Sequence, residues 1–432
     1  MKQRAKIFSV FLLIISSLIF NFFISRHYFH KDLEPDEVLY NSIALSILDG
    51  RNTFGFEGRQ IDIGQEVTPF YSAMVSGAYL IDKAEWSPLV LNIVLSCATL
   101  ILLFLIIIRI TGKLIFSFLS VLVFSLYFPL WAYNFFIMME ILTIFLLSLS
   151  VFFILLYLKE NRKLYLFLAS IIFSVLVLVN NRFFVLLGVF FLLVLYQSFF
   201  AKTLAFKNAI YSFLISIVII GPWFIRQIVV YDQFVFFTPK WNNLVSEKVG
   251  IFKSVNFTSI EDMSDSYKLM DYDYYLKGIE NDKNNFSNTK IKFTPVKFQE
   301  TIIGRERIRN IYLARIVRYF TLFDTDYKFL YPDSYRMTVP SSFPYKIIQV
   351  FVLLPLFVFS FVGFIIAIYR KELFILCLSV FWFSHIFLHA LIHYIDRYRL
   401  TILPVLLIIS AYGLFELLKG FKITRGAIYP TL

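Results

Sequence analysis

Four groups of polar residues could carry chemistry in this sequence. Asp36 and Glu37 follow Pro35 at the head of 35-PDEVLYNSIALSILDG-50. A carboxylate in a first helical turn is held ionised by the helix dipole and the unpaired N–H groups. An ionised carboxylate is what a general base requires, although acids there are also ordinary capping chemistry. Glu66 in 65-QEVTPFY-71 is a second candidate carboxylate, or a solvated loop acid. Glu140, Arg182 and Arg226 stand at the edges of apolar runs. Charges at membrane depth are costly and are functional candidates by default, while both arginines could equally snorkel to an interface. The fourth group is 393-HYIDRYRLTILP-404, where Arg397 and Arg399 offer two guanidinium forks suited to a phosphate. His385, His389 and His393 approach it at four-residue spacing. Such a stripe reads either as a metal set or, more ordinarily, as hydrogen bonds to a neighbouring helix, and no metal is assigned.

The elements that must position these residues are membrane helices. Of the 432 residues, 59% are hydrophobic and 16% charged, against roughly 45–50% and about 25% in a soluble domain. The excess is gathered into runs of about 20 residues, the length that crosses a hydrocarbon core of about 30 Å. Expected spans are 7–25, 88–108, 114–132, 135–158, 164–180, 183–200, 209–229, 346–369, 372–391 and 400–418, ten in all. A soluble enzyme, a disordered tail and a disulfide-stapled domain are excluded. Cys97 and Cys377 lie inside apolar runs, so there is no disulfide framework. The first run is read as an uncleaved helix, because it is long and lacks a clear small-residue cleavage site.

Lys and Arg set the orientation. The terminal segments and one set of connections hold 15 basic residues, among them Lys2, Arg109, Lys163 and Lys371, against two acids, Glu160 and Glu372. The short connections on the other side hold Arg182, Arg397 and Arg399. Both termini are therefore expected in the cytoplasm. The net charge of +12 is mostly this topology signal and implies no nucleic-acid partner.

Two outer segments are long enough to do chemistry. The first, 26–87, carries ten acids against five bases. Its 35–50 stretch reads as an amphipathic helix stopped by Gly50, with Tyr40, Ile43, Ala44, Ile47 and Leu48 on one face. A second such helix covers 68–81, with Thr68 at the cap and Pro69 behind it. Both should lie in the interface rather than span it. The second segment, 231–345, reads as a small extracytoplasmic domain or lid. The expected organisation is an N-terminal transmembrane module over 1–230, this 231–345 segment, and C-terminal helices over 346–432. The fold class is an all-α polytopic membrane protein.

No P-loop, dinucleotide fingerprint, zinc-type spacing or GxSxG elbow is present. What is present resembles the C-type integral-membrane glycosyltransferases, in the bacterial branch related to protein O-mannosyltransferases and lipid A aminoarabinose transferases. Three stretches carry the resemblance: Asp36-Glu37-x-x-Tyr40; Glu66 ahead of Thr68-Pro69-Phe70-Tyr71; and Arg397-Tyr398-Arg399-Leu400 with Pro404 behind. The Pro222-Trp223-x-x-Arg226 stretch and 234-FVFFTPKWNNL-244 are also similar to the family's exit from its seventh span. The chain departs from the pattern at Val67-Thr68-Pro69, where the aminoarabinose enzymes usually have Lys-Pro-Pro, so that lysine contact is not carried over. The divergent central segment carries over no acceptor.

The resemblance implies transfer of a sugar from a polyprenyl-phosphate donor, on the outer face, to a glycan, lipid or protein acceptor. It implies Asp36, Glu37 and Glu66 as the catalytic carboxylates, with Asp36 the base. Arg182, Arg226, Arg397 and Arg399 are then the candidates for the donor phosphate, with Arg399 and Arg226 preferred. Tyr40, Tyr71, Glu140 and Tyr398 are candidate substrate contacts. No cofactor is fixed by these residues, and a divalent cation is left open. A polysaccharide polymerase or ligase is the competing reading. A transporter would place its polar groups near the midplane and show repeated halves, and neither feature is seen.

Overall fold

The computed structural model describes residues 2–28, 35–56, 59–84, 86–199, 206–232, 343–391 and 396–420, with a few further positions between 234 and 320. The described chain is almost entirely helical. Six helices are long and apolar enough to cross a membrane: α1 (Lys2–Tyr28), α4 (Trp86–Thr111), α7 (Glu140–Glu160), α9 (Phe184–Phe199, with the 3₁₀ turn Asn181–Phe183 ahead of it), α10 (Phe206–Tyr231) and α11 (Phe343–Arg370). Shorter apolar helices lie between them: α3 (Phe70–Ile81), α5 (Leu114–Ser125), α8 (Lys163–Val179), α12 (Leu373–Leu391) and α14 (Leu403–Leu418). The remaining helices are α2 (Pro35–Leu48) and the single-turn α6 (Phe128–Ala132) and α13 (Asp396–Leu400).

Three sequence expectations are corrected. A two-stranded antiparallel hairpin, β1 (Thr53–Phe56) paired with β2 (Arg59–Asp62), interrupts the all-α picture, with Thr53 opposite Asp62 and Phe56 opposite Arg59. Strands of four residues are too short to show a period against a helical background. The expected spans 114–132 and 135–158 are broken differently. The chain leaves α5 at Ser125, makes α6 and a 3₁₀ turn at Tyr133–Phe135, and begins α7 only at Glu140. Pro129 lacks the N–H to continue a helix. Lastly, Thr68 does not cap α3. The cap position is Pro69, with no side-chain bond, and the helix starts at Phe70.

The Gly50 stop is as expected. Gly50 has φ +68°, its N–H donates to the Ile47 carbonyl, and the Arg51 N–H reaches back to Ser46. This is the Schellman closure that a left-handed glycine permits. The expected face of α2 is buried at Tyr40, Ile43 and Ala44. Leu39 and Ile43 meet Ile61 of the hairpin in a small cluster of their own, and Tyr40 meets Tyr71 of α3 edge-on at 5.0 Å between ring centres.

The core runs through α4, α7 and α8, with Phe104, Trp131, Phe173 and Trp382 among its fully buried side chains. α10 turns Phe213, Leu214, Ile217 and Val218 outward, an apolar surface suited to lipid. The pair α11 and α14 crosses with no room to spare. A Cβ at Gly363 would strike the Ile409 carbonyl, and one at Gly413 the Phe359 carbonyl and the Gly363 backbone. Ser360 donates to the Leu406 carbonyl at 3.0 Å across the same seam. Small residues let membrane helices approach until van der Waals contact and such bonds hold them. At the bundle end that carries the helix links 112–113, 161–162 and 371–372, Arg370 and Lys419 both pair with Glu416, and Lys159 caps the Arg109 carbonyl.

Candidate active site

The opposite end gathers α2, α3, the hairpin, the 126–139 passage, the link between α8 and α9, and α13. Its acidic side is built on a stretch of non-helical backbone. Such backbone inside a membrane bundle must find partners within the protein. Here Asn92 of α4 donates to the Phe136 carbonyl at 2.9 Å, and Glu37 of α2 accepts the Ile137 N–H at 2.8 Å. Asn134 is tied on both sides: it donates to Asn21 of α1 at 2.7 Å and accepts from Ser96 of α4 at 2.5 Å.

This passage delivers Glu140, the first residue of α7, to a buried group containing Tyr71, Tyr40, Asn92 and Glu37. Burial, and next the Glu140 carboxylate, raise the Tyr71 phenol well above the ordinary tyrosine value. Tyr71 therefore stays a hydrogen-bond donor at any physiological pH. Glu37 and Glu140 are buried and so is Glu66, in the turn before α3, whereas Asp36 is half-buried in the first turn of α2. Among the acids of the Asp-Glu pair, Asp36 is the one turned toward accessible space.

The basic side collects residues far apart in sequence. The Arg182 guanidinium lies 3.3 Å from the centre of the Tyr398 ring, a close cation–π stack. Arg399 is fully buried, with Nη1 donating to the Tyr319 carbonyl at 3.0 Å. α13, which carries Tyr398 and Arg399, packs against α7, the helix headed by Glu140. Arg397 belongs to α13, but its side chain, like His393, lies outside the described residues. Tyr398 is buried beneath Arg182, so its ring supports a cation as well as facing the site.

Arg226, expected beside Arg399 at the donor phosphate, makes an ion pair with Asp62. Its Nη2 donates to both oxygens of Asp62, at 2.9 and 2.7 Å, and Asp62 also accepts from the Tyr231 hydroxyl at 3.1 Å. Gln227 donates to the Gly64 carbonyl at 2.9 Å and to the Phe237 carbonyl at 2.6 Å. Gly64 is required by this approach, since a Cβ there would lie 2.5 Å from Arg226 Nη1 and 2.8 Å from the Trp223 ring. The end of α10 thus holds the hairpin and the Glu66 turn in place.

Sequence reasoning missed Asp62, Asn92, Asn134 and Tyr319. Nothing local marks Asp62 and Tyr319, because each works through a partner 60 or more residues away. Asn in an apolar run was the available signal for Asn92 and Asn134. Among the described residues no group of three or more His, Cys, Asp or Glu side chains is arranged to hold a metal.

No protein-family model and no curated protein sequence matches the chain. Solved structures do. The chain is similar over its whole length to the archaeal oligosaccharyltransferase AglB from Archaeoglobus fulgidus, in complex with an inhibitory peptide and a dolichol-phosphate, at 14% identity and a TM-score of 0.54. Over 94% of its length it is similar to the Archaeoglobus fulgidus oligosaccharyltransferase tethered to an acceptor peptide containing the NVT sequon, at 13% identity and a TM-score of 0.51. It spans about half of those two chains, 53% and 49%. ArnT from Cupriavidus metallidurans, bound to undecaprenyl phosphate, aligns with 94% of this chain and 77% of its own, at 14% identity and a TM-score of 0.44. The chain shares the membrane fold of the two archaeal oligosaccharyltransferase structures.

Proposed function

We propose that this chain is a membrane glycosyltransferase moving a sugar from a polyprenyl-phosphate donor to an acceptor hydroxyl or phosphate on a glycan, lipid or protein. The observation that carries the reading is the meeting of two unlike groups at one end of the bundle. Buried carboxylates with Asp36 beside them stand on one side, and the guanidinium groups of Arg182 and Arg399 on the other, joined by the packing of α13 on α7. The dolichol-phosphate bound to the similar archaeal enzyme supports a lipid-phosphate donor.

In this reading Asp36 takes the proton of the acceptor hydroxyl as its oxygen attacks the anomeric carbon. The bond from that carbon to the donor phosphate oxygen breaks, and the electron pair leaves on the phosphate. Arg182 and Arg399 stabilise the charge that develops there. Arg397, on the same short helix, is a third candidate for this role. Arg226, committed to Asp62, holds the first loop rather than the phosphate. Glu37, committed to the Ile137 N–H, orients the site, and Glu66 and Glu140 position donor or acceptor with Tyr40 and Tyr71.

The six long spans, with α5, α8, α12 and α14, give ten crossings, with α2 and α3 interfacial. The basic links then face the cytoplasm of a bacterial inner membrane, with both termini, and the 26–87 and 231–345 segments face outward. Cysteine labelling at Arg51 and Asn161 tests this: the two positions should label from opposite sides.

Lipid-linked sugars in cells lacking the protein test the function. Accumulation of one polyprenyl-phosphate monosaccharide is expected, and an unchanged lipid-linked pool would overturn the reading.

A further inference from the structure

The two arginines of the basic side are joined by a chain of uncharged polar groups. Tyr319 supplies the carbonyl that accepts from Arg399 Nη1, and its hydroxyl lies 3.2 Å from His385 Nδ1. His385 Nε2 lies 3.1 Å from His389 Nε2, one turn further along α12. The His389 ring is 5.1 Å from the Tyr398 ring, on which Arg182 stacks. Both histidines are buried. Phe320 fixes the Tyr319 end, with its ring 5.3 Å from Phe357, 5.9 Å from Phe361 and 6.3 Å from Trp382.

Two facing imidazole nitrogens can share one hydrogen only, so the pair has a sense. If Tyr319 donates to His385 Nδ1, His385 Nε2–H must donate to His389. If Tyr319 accepts, the whole chain reverses. In either sense the histidines are neutral. A neutral, directional, buried chain between two cations sets their separation without adding charge of its own.

We propose that Tyr319, His385 and His389 form a brace that holds Arg399 and Arg182 at the spacing needed to grip a lipid-linked phosphate. They are positioning residues, acting through the arginines and not on the reacting atoms. The inference rests on the reading that these arginines take the donor phosphate. A second-layer bond that orients a charged group commonly matters tenfold or more to binding of its ligand.

The test uses the full chain in lipid nanodiscs, with farnesyl phosphate as probe and thermal unfolding as the control for folding. Tyr319→Phe, which keeps the ring and removes the hydroxyl, and His385→Ala should each weaken binding by about tenfold or more. His385→Asn, which restores a polar group near Nδ1, should recover part of the loss. If Tyr319→Phe and His385→Ala bind as the parent does while Arg182→Ala and Arg399→Ala bind weakly, the brace is wrong and the phosphate reading stands. If all four bind as the parent does, the phosphate reading itself falls. Should His385→Ala fail to fold, Tyr319→Phe decides alone. A lower melting temperature with unchanged affinity would assign these residues to structure only and overturn the proposal.

Discussion

Arg226 and Asp62 meet across 164 residues of chain, with one guanidinium nitrogen shared between both carboxylate oxygens at 2.9 and 2.7 Å. The pair fastens the hairpin to the end of α10. A hydrogen bond to a charged group contributes about 1.5–3 kcal/mol when its loss strands the partner, and partial exposure of both side chains places this one toward the low end. Asp62→Ala and Arg226→Ala should lower the melting temperature similarly, and the double variant little further. A clearly greater loss of donor affinity in Arg226→Ala than in Asp62→Ala would return Arg226 to the phosphate site.

Asp36→Asn keeps the shape of the side chain and removes the base. General-base removal costs about 10²- to 10⁴-fold in rate. Turnover of a polyprenyl-phosphate sugar should fall by that much, with donor affinity and folding unchanged. Normal turnover would move the role to Glu66, and normal turnover in Glu66→Gln as well would remove the mechanism.

Arg182→Ala deletes one charge-assisted contact, and Arg182→Lys keeps the charge but loses the planar stack on Tyr398. For Ala, donor KM should rise and kcat should fall, with kcat/KM down about ten- to hundredfold, and the loss should be smaller for Lys. Steady-state kinetics across donor concentration separates these outcomes.

Glu372, in the link between α11 and α12, titrates above the ordinary carboxylate range because burial, and next the Glu416 carboxylate, disfavour its charge. Its folded value lies above its unfolded one, so its ionisation counts against folding. That penalty is absent below the unfolded value and complete above the folded one. Glu372→Gln should therefore raise the melting temperature near pH 8 and make no difference near pH 4. A gain that persisted at low pH would assign the effect to packing.

The α11–α14 seam gives a prediction about packing alone. Gly413→Ala places a methyl group against the Phe359 carbonyl and the Gly363 backbone. Overpacking of this kind costs about 1–3 kcal/mol. Less folded protein and an earlier melt are expected, while Gly188→Ala, where a Cβ meets nothing, should be close to neutral.

What the sequence made legible was what depends on near neighbours. The stop at Gly50, the buried face of α2 and the apolar runs follow from spacing within one or two turns. The sequence offered the Asp-Glu pair as a candidate site with Asp36 as its base, and the partner that Glu37 finds was not visible in it. Glu37 turns inward because a carbonyl-rich, non-helical passage 100 residues later needs an acceptor for the Ile137 N–H. The passage itself was read as helix because its residues are apolar, and apolarity says only that they are buried. Arg226 was read for its charge, and its partner Asp62 was one acid among ten in the first loop.

The Gly363–Gly413 seam also acts as a ruler. With the two backbones in contact there, the height of Arg399 above the crossing depends on how many residues separate it from Gly413. One residue more or fewer within α14, between Leu403 and Gly413, would turn the segment ahead of it by about 100° and shift it about 1.5 Å along the axis, carrying Arg399 away from the Tyr319 carbonyl. An insertion within Leu403–Gly413 should therefore impair the protein even where every named residue is retained.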